Sequence, residues 1–158
     1  LNIIQIRRVF FLVDGYNIIH AFKELSEFAQ VNLDSARGRL LDILCNYQAM
    51  KGCELIVVFD AYRVPGHDEE FIDFHNIHVV FTKTAETADH YIEKFAHENG
   101  KKYNVTVATS DGVEQVIIRG QGCLLISARE FEKEIAAMEE HLRENYLNKD
   151  ILMNNTYI

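Results

Sequence analysis

Short apolar runs punctuate the chain at Val9–Val13, Leu55–Phe59, Ile77–Phe81, Val105–Ala108 and Leu124–Ile126. Each is too short for a helix, and most are rich in β-branched residues. The runs are continuous rather than alternating, which fits strands covered on both faces, as in a parallel sheet. The segments between them keep a different period. In Leu33–Gly52 the apolar residues Leu40, Leu41, Leu44 and Tyr47 share a helical stripe, with Gly52 placed as a C-terminal stop. In Glu86–Gly100 the spacing of Ala88, Tyr91, Ile92, Phe95 and Ala96 is that of an amphipathic helix. Asp111–Gly120 predicts a short helix. Ser127–Leu147 predicts a long one, opened by a capping box of Ser127 and Glu130. Strands alternating with helices predict a three-layer α/β/α domain with a mainly parallel central sheet of about five strands. The expected organisation is an N-terminal extension over 1–8, the domain over 9–147 and a C-terminal tail over 148–158, whose last eight residues are expected to be weakly ordered. Ala61–Asn76, which holds the only proline, is expected to be a long loop.

At 158 residues the chain can bury roughly 70% of its unfolded surface as one domain. Its three cysteines are odd in number and form no CxxC pair, so a reducing, cytoplasmic setting is expected rather than a disulfide framework. No run approaches the ~18 apolar residues of a membrane helix, and Asp14 cuts off the run after "RR" before it resembles a signal peptide. Neither GxGxxG nor GxxxxGK[ST] occurs, which disfavours a nucleotide cofactor held by those loops. His75 and His78 lack the partner motif of a zinc site. No cysteine stands beside a recognisable base motif. The net charge of −8 disfavours generic attraction to nucleic acid or anionic membrane. A phosphate-bearing ligand would need a local basic rim, or a cation bound among the acids.

The acids are placed to supply such a centre. Asp14, Asp60 and Asp111 directly follow the first, second and fourth runs or their exits, and so reach the edge where open α/β sheets bind ligands. Each alone fits a turn former or helix N-cap equally well. Their coincidence on three strands points to an acidic cleft. Asp89 sits about 90° from its helix's apolar stripe, on the shoulder that can face a cleft, whereas Glu86 and Glu93 lie further round. Two carboxylates 4 Å apart repel by roughly 4 kcal/mol at an effective dielectric of 20. Such groups therefore take up protons or share a cation. An all-oxygen set favours Mg²⁺ or Mn²⁺, and ions of this kind support attack of water on a phosphodiester.

Taken in order, "LVDGYNIIHAF", "LIVVFDAY", "VVFTKTAETADHYIEKF", "VTVATSDGVEQ" and "GQGCLLISAREF" resemble the YacP-like branch of the NYN-domain ribonucleases, which have a PIN-like fold. The resemblance implies a metal-dependent endoribonuclease acting on mRNA, with some relatives associated with ribosomes. It places the acidic centre and metal ligands on Asp14, Asp89 and Asp111, with Asp60 at the margin and Glu86 and Glu114 as further ligand candidates. Asn17 would orient Asp14 or a water, and Thr109 and Ser110 would support the third acid. His90 departs from the pattern, standing where relatives more often carry a second acid.

Basic residues that could meet RNA phosphates are Arg37, Arg39, Arg63, Lys83, Arg119 and Arg129. Arg63 and Lys83 are preferred because they lie just beyond strand ends on the acidic edge. Tyr16 and Tyr62 flank Asp14 and Asp60 and could stack a base. Two other functions remain open at this level. One is a non-catalytic RNA- or ribosome-binding module. The other is a metal phosphoesterase for a small substrate, although the DxD pair of one such phosphatase class is absent after the first strand.

Overall fold

The computed structural model describes residues 7–64, 66 and 69–155. Successive side chains of strand β1 (Val9–Asp14) enter two different cores: Phe11 and Val13 face one, Phe10 and Leu12 the other. A strand sandwiched in this way has no solvent face, which is why it reads as an unbroken apolar run. β2 (Glu54–Phe59) divides likewise, with Leu55, Val57 and Phe59 on the first side and Ile56 and Val58 on the second. The remaining strands are β3 (Glu70–Phe74), β4 (Ile77–Phe81), β5 (Asn104–Ala108) and β6 (Leu124–Ile126). They form one six-stranded sheet in the order β3-β4-β2-β1-β5-β6. Every pairing is parallel except β3 with β4.

Helices α1 (Gly15–Ala21), α2 (Lys23–Val31), α3 (Leu33–Lys51) and α6 (Ala128–Asn155) contribute to the first core. Helices α4 (Ala88–Asn99) and α5 (Gly112–Gly120) cover the other face. Phe131 of α6 is fully buried, with its ring about 5 to 6 Å from those of Phe11, Phe22 and Tyr47. Truncating a phenylalanine so enclosed typically costs about 3–5 kcal/mol. The chain runs outward from β1 to β2 and β4, then returns to add β5 and β6 on the other side of β1. This reversal opens a crevice at the carboxyl ends of β1 and β5, the place where such sheets bind ligands.

The expected sheet gains a strand. Part of the segment read as a loop, Glu70–Phe74, pairs antiparallel with β4 in a hairpin whose central residues are His75 and Asn76. As the edge strand it leaves Phe71 62% exposed, so it lacks the buried run that marks the others. Helices α1 and α2 also go beyond the sequence pattern. They are short, 7 and 9 residues, and are separated by Phe22 in extended conformation, which breaks the helical period between them. α6 continues past Leu147 to Asn155, through most of the expected tail, with its last turns exposed. Residues 156–158, and 1–6 of the expected extension, lie outside the described residues. Two expected helix signals are realised: Gly52 takes the left-handed conformation at φ 69°, and Ser127 Oγ accepts from Glu130 N–H.

Candidate active site

Three acids meet where β1, α4 and α5 come together. Asp14 is the last residue of β1 and immediately precedes α1. Gly15 permits that abrupt start, because a Cβ at this position would lie 2.3 Å from the Phe59 ring. Asp89 stands in the first turn of α4, and Glu114 in the first turn of α5. Among the described residues, one group of three has the character of a metal site: Asp14, Asp89 and Glu114, whose carboxylate oxygens lie within 4.8 Å of one another. Asp14 is 5% exposed and Glu114 1%.

Burial dominates their electrostatics. It pushes the Asp14 carboxyl up to about 7, aided by a hydrogen bond and charge from Asp89. Burial, together with the charges of Asp14 and Asp89, raises Glu114 to about 9. Glu114 Oε2 accepts from Thr109 Oγ1 at 2.9 Å, while Oε1 is buried without a hydrogen-bond partner. A carboxylate oxygen in that position is costly unless a proton or cation satisfies it.

Other acids at this edge are differently engaged. Asp111 caps α5, its Oδ1 accepting from Val113 N–H at 3.0 Å and Glu114 N–H at 3.2 Å. Asp60 Oδ1 accepts from Ala88 N–H at 2.7 Å, at the start of α4. Both line the cleft with Asp14 and Asp89, but neither joins the three-acid group. Asn17 does not use its oxygen on Asp14: Oδ1 accepts from the backbone N–H and the hydroxyl of Ser110, at 2.8 and 3.0 Å. It thereby ties α1 to the turn after β5. Thr109 accepts from Asp111 N–H while donating to Glu114, so it supports Asp111 through that residue's backbone and Glu114 through its carboxylate.

The structure separates the proposed RNA contacts. Arg63 lines the cleft, whereas Lys83 lies outside it and pairs with Glu69 at 3.5 Å. Arg119 is in the last turn of α5, roughly 12 Å along that helix from its acidic start. Glu86 also lies outside the acidic cleft, in a surface hollow beside Lys83 and Tyr91. Tyr16 is not a free stacking platform: its ring is buried against Phe59, and its hydroxyl accepts from Arg37. Arg37 is also ion-paired with Asp34. Tyr62 remains open. His90 is exposed, its backbone N–H capped by the Thr87 hydroxyl.

Sequence reasoning missed His20 and Thr87 in the cleft lining. It also missed Thr82, a buried hydroxyl that accepts from Ala61 N–H and donates to Glu86 O, linking the exit of β2 to the approach of α4. His20 falls on α1, a helix whose short period concealed which residues reach the strand ends. Thr82 had a signal, since it directly follows a buried strand.

The donor set fits a hard divalent cation: three converging carboxylates, one with a buried oxygen otherwise unsatisfied. No described helix is long and apolar enough to cross a membrane.

Comparison with known proteins agrees with this architecture. A YacP-like NYN domain model matches residues 11–156. A Bacillus subtilis (strain 168) protein named "Uncharacterized protein YacP" is 42% identical over 132 residues, spanning 83% of this chain and 77% of the relative. The crystal structure of Rae1 (YacP) from Bacillus subtilis matches with a TM-score of 0.76 and 39% identity, over 93% of this chain and 84% of that one. A single-substitution variant of Rae1 matches at 0.73 and 39% identity, over 85% and 79% of the two chains. The chain belongs to the YacP-like NYN domain family, within the PIN-like nuclease fold.

Proposed function

We propose that the protein is a metal-dependent endoribonuclease that hydrolyses RNA phosphodiester bonds with water. The observation that carries this reading is the convergence of buried Asp14 and Glu114 with half-buried Asp89, one Glu114 oxygen being unpartnered, at the carboxyl edge of an NYN-family sheet. Asp14, Asp89 and Glu114 would hold Mg²⁺ or Mn²⁺, with Asp111 on the adjoining wall. When bound, such an ion offsets carboxylate charge, acidifies water and stabilises charge on the phosphate.

The chain's own groups do the rest. Glu114 would lose its proton on becoming a ligand. Asn17 fixes the Ser110 turn, and with it the start of α5. Asp111 commits Oδ1 to the helix cap and offers its other oxygen to the proton that water loses. The water oxygen bonds to phosphorus as the chain P–O bond opposite it breaks, and the departing oxygen takes up a proton.

Cleavage of a labelled single-stranded RNA tests the reading. Mn²⁺ should support cutting, chelation should stop it, and Asp14→Asn should reduce it by at least ~100-fold, the scale on which disturbed metal sites lose activity. Undiminished cutting by Asp14→Asn protein would end the proposal.

The favoured target is mRNA presented by the ribosome in the cytoplasm. A chain of net charge −8 gains little from generic attraction to RNA, so a larger partner that delivers the substrate accounts for encounter. Cosedimentation with ribosomes at moderate salt tests this, and the absence of any association would refute it.

A further inference from the structure

Beside its carboxylates the cleft is lined by three groups of another kind: His20, Tyr62 and Arg63. The Arg63 guanidinium lies 5.2 Å from the centre of the Tyr16 ring and 5.3 Å from that of Tyr62. Its Nε donates to the Tyr62 hydroxyl at 2.8 Å, and Nη1 lies 3.4 Å from His20 Nε2. Arg63 is the permanent cation of the cleft lining, and among the described residues no carboxylate forms an ion pair with it. Tyr62 is 63% exposed even with Arg63 against its ring.

These features fit one ligand fragment. An arginine held between two rings presents its remaining N–H groups without losing much further rotamer freedom, and its fork matches a phosphate. An exposed tyrosine face beside it accepts an unstacked base. The acids alone would repel the strand that the proposed chemistry requires, so a cation and a stacking surface within the same cleft meet a specific need. We infer that Tyr62 and Arg63, braced by Tyr16 and His20, form a nucleotide subsite adjoining the acidic centre: an unpaired base stacks on Tyr62 and a neighbouring phosphate is held by Arg63.

The inference rests on RNA being the ligand of the cleft, and its test is independent of cutting. A short fluorescent single-stranded oligoribonucleotide is titrated with the whole chain in Ca²⁺, with oligomer integrity read on a gel. Binding is followed by anisotropy, and bases are removed one at a time to leave abasic riboses. Tyr62→Ala should weaken binding about tenfold, the scale of a lost base–aromatic stack, while Tyr62→Phe should bind nearly as wild type does. One abasic position should cost the wild type about as much and cost Tyr62→Ala protein nothing more. Arg63→Lys should also weaken binding, because it keeps the charge and loses the fork.

Unchanged affinity in Tyr62→Ala protein, no abasic position silenced by that substitution, or no binding by the wild type would overturn the subsite. Tyr62-dependent binding without Mn²⁺-supported cleavage would leave the subsite standing and sink the nuclease reading. Cleavage with unaltered Tyr62→Ala binding would do the reverse.

Discussion

Asp60 and Asp111 stand at the same sheet edge as Asp14 and Glu114, yet the two pairs live in opposite electrostatic worlds. The first pair accepts backbone N–H groups at the starts of α4 and α5, where the helix ends favour a negative charge. The second pair is buried beside another acid, and burial raises the proton affinity of both members. Thus an aspartate after a strand need not be either a cap or part of a site by virtue of position. What separates the two is whether the folded chain already satisfies its charge.

The sharpest way to break this comparison is through activity. Glu114→Gln should reduce Mn²⁺-supported cleavage at least ~100-fold. Asp60→Asn retains an oxygen for Ala88 N–H and should stay within a few-fold of wild type. Equal losses in the two proteins, in parallel gel assays, would erase the distinction.

Metal-free stability across pH should separate the pairs next. Asp14 and Glu114 bind protons more tightly folded than unfolded, so their contribution is full below about pH 4, near ordinary carboxyl values. It should be lost as pH rises through about 7 and then about 9. Thermal melts in chelator should therefore fall over this window, and Mn²⁺ should restore stability at its upper end by binding the folded state. Glu114→Gln should flatten the decline and melt higher than wild type near pH 9. A flat wild-type profile would show that the acids carry no such penalty.

The smallest effect belongs to the capping pair. Asp111→Ala should cost about 1 kcal/mol, or roughly 2–4 °C in melting temperature for a domain of this size. Asp111→Asn, which can still cap, should cost little stability, whatever it costs in cleavage. Calorimetry on both proteins distinguishes loss of the cap from general damage.

These contrasts also explain what the sequence could reveal. β1, β2 and β4 were legible because burial on both faces leaves a continuous apolar run, whereas β3 exposes Phe71 at an edge and has no such mark. The convergence of Asp14 and Asp89 was legible from strand ends and helical angle. The place of Glu114 beside them, with Asp111 at the helix cap, was not. It depends on how α5 is rotated against the sheet, and packing sets that rotation: Glu114 and Ile118, four residues apart, both turn inward. Tyr16 and Tyr62 hold similar places beside acids, but the closeness of Gly15 to Phe59 draws the first into the core.

Thr109 has one hydroxyl hydrogen and no exposure to solvent, and it accepts Asp111 N–H while pointing that hydrogen at Glu114 Oε2. Oε2 is thereby satisfied, whereas Oε1 is buried without a hydrogen-bond partner and is the oxygen left to a proton or a cation. A single threonine rotor thus decides which end of the glutamic acid the folded chain leaves unsatisfied. On the proposed function, a cation would meet an oxygen that the fold has already set aside, and Thr109 would keep its partners.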